Sequence, residues 1–348
     1  MQAELAVHRA IEIVEHETGV VIPVYFHPDA DPAYAAALLG ATVRMYVREV
    51  ADPRGLCLSV DGGGLSLAAA REVAGCYGVQ LVHAEPNRGK LASVRNGMAH
   101  LLQSPHWRYL AVVDCDGDHF ANELLTFVRC AEHVAQVTSS PHALILGERV
   151  SRHRPLGFLR GEQEALANAL LLDALHYAAA LAGRPLPLQF VAPSVEDRLP
   201  DFHSGYKLFS RATAEQLFLS PPNLAGCDER AYYRHACEAV MVVEALQRGA
   251  FLATVNRRTF DEQPISSFAR LDRAQLAADM IIWPCRRLGA PGPFVAQWMD
   301  NHLPRLLLGA LVPHGRAELA AIRGLVLQAY GLPTPSGPAD AFVRLPFI

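Results

Sequence analysis

The chain of 348 residues has no field of one charge sign: 31 basic residues against 35 acidic ones leave a formal net charge of -4. Without a basic excess there is little to hold a polyphosphate backbone, so no nucleic-acid partner is expected. Long apolar runs are missing as well. No stretch reaches the roughly 18 to 20 uncharged apolar residues that cross a bilayer, and the longest late run, Leu306 to Val312, is far shorter. The opening Met1-Gln-Ala-Glu lacks the basic-then-apolar order of a leader, so none is expected. Cysteines are odd in number, seven, with no Cys-x-x-Cys pair. Most sit in apolar patterns, where a free thiol packs as a small hydrophobe, and this predicts a reducing, cytoplasmic compartment. Internal repeats and low-complexity tracts are absent. What is there, 51% hydrophobic and 19% charged residues, suffices for one large core or two smaller ones.

The most informative stretch is Tyr109-Leu-Ala-Val-Val-Asp114-Cys-Asp116-Gly-Asp118, an apolar run ending in three alternating acids. Carboxylates spaced by one residue at a strand exit point the same way and suit a hard cation such as Mg2+ or Mn2+. A calcium loop is excluded, because its sixth and twelfth positions would need Gly and Glu and here they are His119 and Leu125. A phosphatase with Asp-x-Asp-Gly after its first strand is disfavoured, because three strand patterns come earlier and Asp118 follows Gly117. The triplet also resembles the Asp-x-Asp motif of nucleotide-sugar glycosyltransferases, which implies a divalent ion between the carboxylates and the donor diphosphate; acids after a strand serve as loop and helix-cap residues too.

Strand-length apolar runs recur at Val20–Tyr25, Leu56–Asp61, Val79–His83, Tyr109–Asp114 and Ala143–Gly147, separated by helix-period segments around 32–50, 65–77, 89–103 and 121–137. Such alternation predicts an α/β fold with a mainly parallel, Rossmann-like sheet covered by helices on both faces. Ligands of these sheets bind beyond the carboxyl ends of the strands, where Tyr25, Asp61 and Asp114 fall. Later elements are expected as a helix over 156–183, a strand over 205–210, helices over 211–219 and 228–248, and a strand over 251–255. The organisation expected is an N-terminal helix (1–17), a catalytic domain (18–260), a helical subdomain (265–330) broken at Pro284, Pro291 and Pro313, and a tail (331–348).

Five blocks in order, Val21-Ile-Pro23-Val-Tyr25, Ser59-Val-Asp61-Gly-Gly, Asn87-Arg88-Gly89-Lys90 with Arg95-Asn96-Gly97, Val113-Asp114-Cys-Asp116, and Asp201-Phe-His203-Ser204-Gly205-Tyr-Lys207-Leu-Phe, resemble glycosyltransferase family 2. These are inverting enzymes of the GT-A fold. The last block, with Gly147-Glu-Arg149 before it, is most similar to the branch of polyprenol-phosphate sugar synthases. The resemblance implies that Asp61 pairs with the nucleobase, usually uracil, beside Pro23 and Tyr25. It implies a phosphate contact at the helix start, with charge from Lys90 or Arg88, and places Asp114 near the ribose or metal and Asp116 on the metal. The family commonly has Asp-Asp-Gly where this chain has Val60-Asp61-Gly62.

The base that takes the acceptor's proton is, by the same resemblance, an acid counted back from the Gly ending a late helix; from Gly249 this is Glu238. Glu244, six residues on, lies about 120° around a helix and is expected at the surface. Further donor or acceptor contacts are considered at Asn96, Asp118, His203, Ser204, His235 and, on a loop resembling the fold's mobile lid, Arg270. The function expected is transfer from a nucleotide-diphosphate sugar, UDP by resemblance, to a small soluble acceptor. A lipid-phosphate acceptor, a non-catalytic sugar-nucleotide binder, an Asp-dependent phosphatase and a homo-oligomer stay open.

Overall fold

The computed structural model describes residues 2–151, 153–191, 199–235, 237–260 and 272–334. Seven strands, β1 (Thr18–Val24), β2 (Leu56–Asp61), β3 (Gln80–Ala84), β4 (Tyr109–Val112), β5 (Ala143–Arg149), β6 (Lys207–Ser210) and β7 (Phe251–Arg257), form one sheet in the order β3-β2-β1-β4-β6-β5-β7. The β1–β2, β2–β3, β1–β4 and β5–β7 pairs are parallel, while β6 runs antiparallel to both β4 and β5. The fold is therefore α/β and mainly parallel, as expected. Six strands deliver their carboxyl ends to one edge, and only β6 starts there.

Helices α1 (Gln2–Glu17), α2 (Pro32–Glu49), α3 (Gly64–Tyr77), α4 (Lys90–Leu101), α5 (Leu124–Thr138), α6 (His153–Leu156) and α7 (Phe158–Leu181) precede β6. After it come α8 (Arg211–Ala214), α9 (Cys237–Gln247), α10 (Arg273–Arg287), α11 (Gly292–His302), α12 (Leu308–Leu311) and α13 (Gly315–Ala329). Residues alternate across the sheet, so Val20 and Ile22 enter a core with α1, α2, α3 and α5, whereas Val21 enters a second core with α4, α7, α9 and α10. The late helices join that second core through Trp283, Val295 and Val326.

Four expectations change. Pro284 does not break a helix: it lies buried within the last turns of α10, where burial of Ile281, Trp283 and Cys285 outweighs the missing N–H. The expected 228–248 helix is a five-residue π turn, Ala231–His235, followed by α9, and the expected 211–219 helix is α8 followed by a π turn, Glu215–Leu219. Widened turns of this kind are set by tertiary contacts and leave no mark on apolar periodicity. Strand β4 stops at Val112, although the next amide, Val113 N, still donates to Val21 O at 3.1 Å. Arg270 and most of the expected tail lie outside the described residues.

Candidate active site

A cavity of about 610 Å³ opens at the carboxyl edge of the sheet. Pro23, Tyr25, Asp61, Lys90, Asp114, Asp116, His203, His235 and Glu238 all line it. Arg88, Asn96, Asp118 and Ser204 do not.

Its centre is Lys90, the first residue of α4. The Lys90 ammonium lies 2.6 Å from Asp114 Oδ1 and 2.7 Å from Glu238 Oε1, joining the ends of three separate elements. Burial alone would lower its pKa, but Asp114 and then Glu238 raise it well above the ordinary lysine range. In return, burial that raises the Asp114 carboxyl is outweighed by Lys90 and then His119, and Asp114 stays below the usual carboxylate range. Glu238 behaves alike: burial lifts it, yet Lys90 and the more distant Lys207 bring it down to about 2. Cys237 Sγ caps the other oxygen at 2.7 Å. Lys207, fully buried on β6, is itself brought down to about 8 by burial despite the support of Glu238.

The acid triplet splits into three roles. Asp114 is seated against Gly205 so closely that a Cβ there would stand 2.6 Å from Asp114 Oδ2. Its own N–H donates to His119 Nδ1 at 2.9 Å, and burial keeps the His119 ring neutral. Among the described residues no cation pairs with Asp116; its Oδ1 accepts from Asp118 N at 3.1 Å. Burial first, and the Asp114 charge second, push its carboxyl up to about 7. Asp118, considered above as a donor contact, instead faces the interior. It accepts from Phe260 N at 2.5 Å and meets Arg257 Nη1 at 3.3 Å, tying the end of β7 to the acidic loop.

Asp61 spends Oδ2 inside the protein, accepting from Arg88 N at 2.6 Å and from Gly89 N. Two of the backbone N–H groups leading into α4 are thus bound by the β2 carboxylate, those of Arg88 and Gly89. Arg88 turns away to Glu229, at 2.9 Å, and over the Tyr233 ring. Asn96 sits half-buried on α4 next to Gly97, where a Cβ would meet Val21 Cγ1 at 2.6 Å. That block serves close packing of α4 on the sheet. Ser204 is buried, and its Oγ accepts from Arg257 Nε at 3.2 Å. His235 does line the cavity, but its Nδ1 is engaged with Asp279 Oδ2 at 2.7 Å. Glu244, expected at the surface, is buried beside Arg287 and Tyr232, because α9 is covered on that side by α10.

Several lining residues carried no role in the sequence reading. Arg149, ending β5, is bound by Asp201 through two 2.6 Å contacts and by Glu164 at 2.6 Å. Arg234 reaches Asn87 O and Oδ1 at 2.7 and 2.8 Å and stands at the cavity wall with Arg257 and Gln163. Strand-end position was a usable signal for Arg149 and Arg257; nothing marked Gln163 or Arg234.

For a divalent ion the donor set is two carboxylates, Asp114 and Asp116. Among the described residues no group of three or more His, Cys, Asp or Glu converges on one point. Two acids fit an ion that arrives sharing phosphate oxygens and water, the habit of Mg2+ and its like, rather than a resident caged ion. The raised Asp116 carboxyl marks where added positive charge is wanted.

Among the described residues no helix is long and apolar enough to cross a membrane. No family profile and no curated protein sequence matches the chain. Solved structures similar to it include a mannosyltransferase from Pyrobaculum calidifontis in complex with GDP-Man and Mn2+, 14% identical over 94% of this chain and 91% of that one, with a TM-score of 0.44. A mycobacterial protein is 14% identical over 95% of this chain and 80% of its own, with a TM-score of 0.43. S. aureus TarS 1-349 is 11% identical, covering 90% of this chain and 89% of that one, with a TM-score of 0.39.

Proposed function

We propose that the chain is a glycosyltransferase of the GT-A fold, resembling family 2, that moves a sugar from a UDP-linked donor to a hydroxyl of a small acceptor with inversion. The observation that carries this reading is the single cleft at the strand ends holding Tyr25 and Asp61 near one part of its wall and the Asp114–Lys90–Glu238 bridge at its floor. Tyr25, 49% exposed, offers a face for a base to stack on, and the second oxygen of Asp61 remains to accept from a base N–H. Arg234 and Lys90 supply cations for the diphosphate. A Mg2+ or Mn2+ ion on Asp116 and Asp114 would offset charge on the departing nucleotide.

Glu238 is the base in this reading, and its contact with Lys90 governs it. With Lys90 at 2.7 Å the carboxylate is a weak proton acceptor, since a general base works best with a pKa near the working pH. The arriving diphosphate competes for the Lys90 ammonium, and a Glu238 relieved of it becomes a stronger base only when donor is in place.

Thermal stability measured with UDP-sugars tests the proposal: stabilisation is expected only when a divalent ion is present. Equal stabilisation in excess chelator removes the metal from the reading. Stronger stabilisation by GDP-sugars would show that Asp61 does not read uracil.

A further inference from the structure

We infer that the α7 side of the cleft is a binding site for a neutral, hydroxyl-bearing acceptor such as a polyol or glycoside, read by Gln163 and His203. The inference rests on the glycosyl-transfer reading and names its acceptor class. Gln163 is 2% exposed; its Nε2 donates to Glu318 Oε1 at 3.0 Å, and its Oε1 is buried with no partner among the described residues. His203 is 7% exposed, and its Nδ1 lies 2.7 Å from Asn168 Oδ1. With Asn168 presenting its Oδ1 there, Nδ1 carries the proton and Nε2 presents a lone pair, and the Asn168 Nδ2 donor is buried without a partner among the described residues. That Nε2 too is buried with no partner among the described residues. Burial brings the ring down to about 4, so it is neutral at physiological pH and stays an acceptor.

Two buried acceptors without donors are costly unless a ligand supplies the donors. Both residues line the cavity that Glu238 also lines, and the Glu238 charge reaches His203. The neighbouring charges are matched: Arg149 is held by Asp201 and Glu164, and Arg160 Nε donates to Glu164 Oε1 at 2.9 Å. A ligand here therefore meets lone pairs and balanced ion pairs. Hydroxyl groups donate to both acceptors, whereas a phosphate sets its own oxygens against them. The same site rejects acceptors lacking those hydroxyls, because its buried acceptors would stay unpaired.

The test measures binding to the full chain saturated with UDP and Mn2+, by calorimetry and saturation-transfer NMR. The probes are glycerol, methyl β-D-glucopyranoside and citronellyl phosphate. Binding of a neutral probe in preference to the phosphate is expected, and Gln163→Leu and His203→Phe should each weaken it by about 3- to 10-fold, the loss of one neutral hydrogen bond. UDP affinity should be unchanged in both. Preference for citronellyl phosphate, binding of no probe, or wild-type affinity in a folded Gln163→Leu protein overturns the inference. Should His203→Phe fail to fold, Gln163→Leu decides alone. Failure of the wild type to bind UDP is a separate result and sinks the glycosyltransferase reading instead.

Discussion

Replacing Asp116 by Asn should leave the protein inactive yet more stable above neutral pH. The Asp116 carboxyl moves from an ordinary 3.8 to about 7 in the folded chain. At about 1.4 kcal/mol for each tenfold change in acidity, keeping it ionised at pH 8 costs about 4 kcal/mol. The carboxylate is only half-buried, and screening by the solvent that reaches it brings this to roughly 2 kcal/mol. Below pH 4 the acid is protonated folded or unfolded and contributes nothing. Between pH 4 and 7 the unfolded chain releases the proton while the folded one keeps it, so stability falls as pH rises. Asn keeps an oxygen for Asp118 N, which approaches at 3.1 Å, and so removes only the charge. Urea unfolding at pH 8 and at pH 4 should show a gain of roughly 2 kcal/mol at the higher pH, about 3 °C in Tm for a chain this long, and none at the lower. Addition of UDP with Mn2+ should stabilise the wild type and not the variant. A variant less stable than wild type at pH 8, or equally improved at both pH values, refutes the argument.

Glu238→Gln should lower turnover with a hydroxyl acceptor by about 10²- to 10⁴-fold, while donor affinity by calorimetry is kept or tightened, because the diphosphate no longer competes with a carboxylate for Lys90. The same change removes the carboxylate that pairs with Lys90 and supports buried Lys207, so a stability loss of roughly 1–3 kcal/mol should appear in urea, and only its Lys207 share should shrink as pH rises past 8 and that amine discharges. Gly205→Ala places a Cβ against Asp114 Oδ2; displacing that carboxylate should reduce kcat by about 10- to 100-fold in a protein whose circular dichroism spectrum is unchanged. Arg149→Met removes the buried guanidinium that Asp201 and Glu164 share, while Glu164 keeps Arg160, and a loss of about 3–5 kcal/mol is expected from chemical denaturation.

The parallel part of the sheet was legible because its strands are continuous apolar runs between helix-period segments. The four residues of β6, which run against their neighbours, were read as a strand but not as antiparallel. No local pattern encodes which way a short strand after a Pro-rich loop will insert. Asp61, Asp114 and Asp116 were singled out by strand ends and motif order and Glu238 by the resemblance, and the four line one cleft. Their partners were not. Lys90 meets Glu238 across 148 positions of sequence, and Arg257 meets Asp118 across 139; both pairings follow from the fold. Asp118 followed the alternation of its neighbours on paper, but Gly117 takes φ 78° and turns the chain inward between Asp116 and Asp118. Gln163 looked like any polar residue of a long helix, and only burial makes its unpaired oxygen informative.

One ammonium holds the start of α4, the loop after β4 and the first turn of α9 together, and that arrangement bears on how such a chain can change over generations. Losing Lys90 leaves two facing carboxylates; losing either acid unbalances the other two groups. No single substitution among the three is neutral, so drift through one of them is closed. Positions 90, 114 and 238 should therefore vary as a set in descendants of a common ancestor, lost together where turnover is abandoned and kept together where the surrounding loops have diverged beyond recognition.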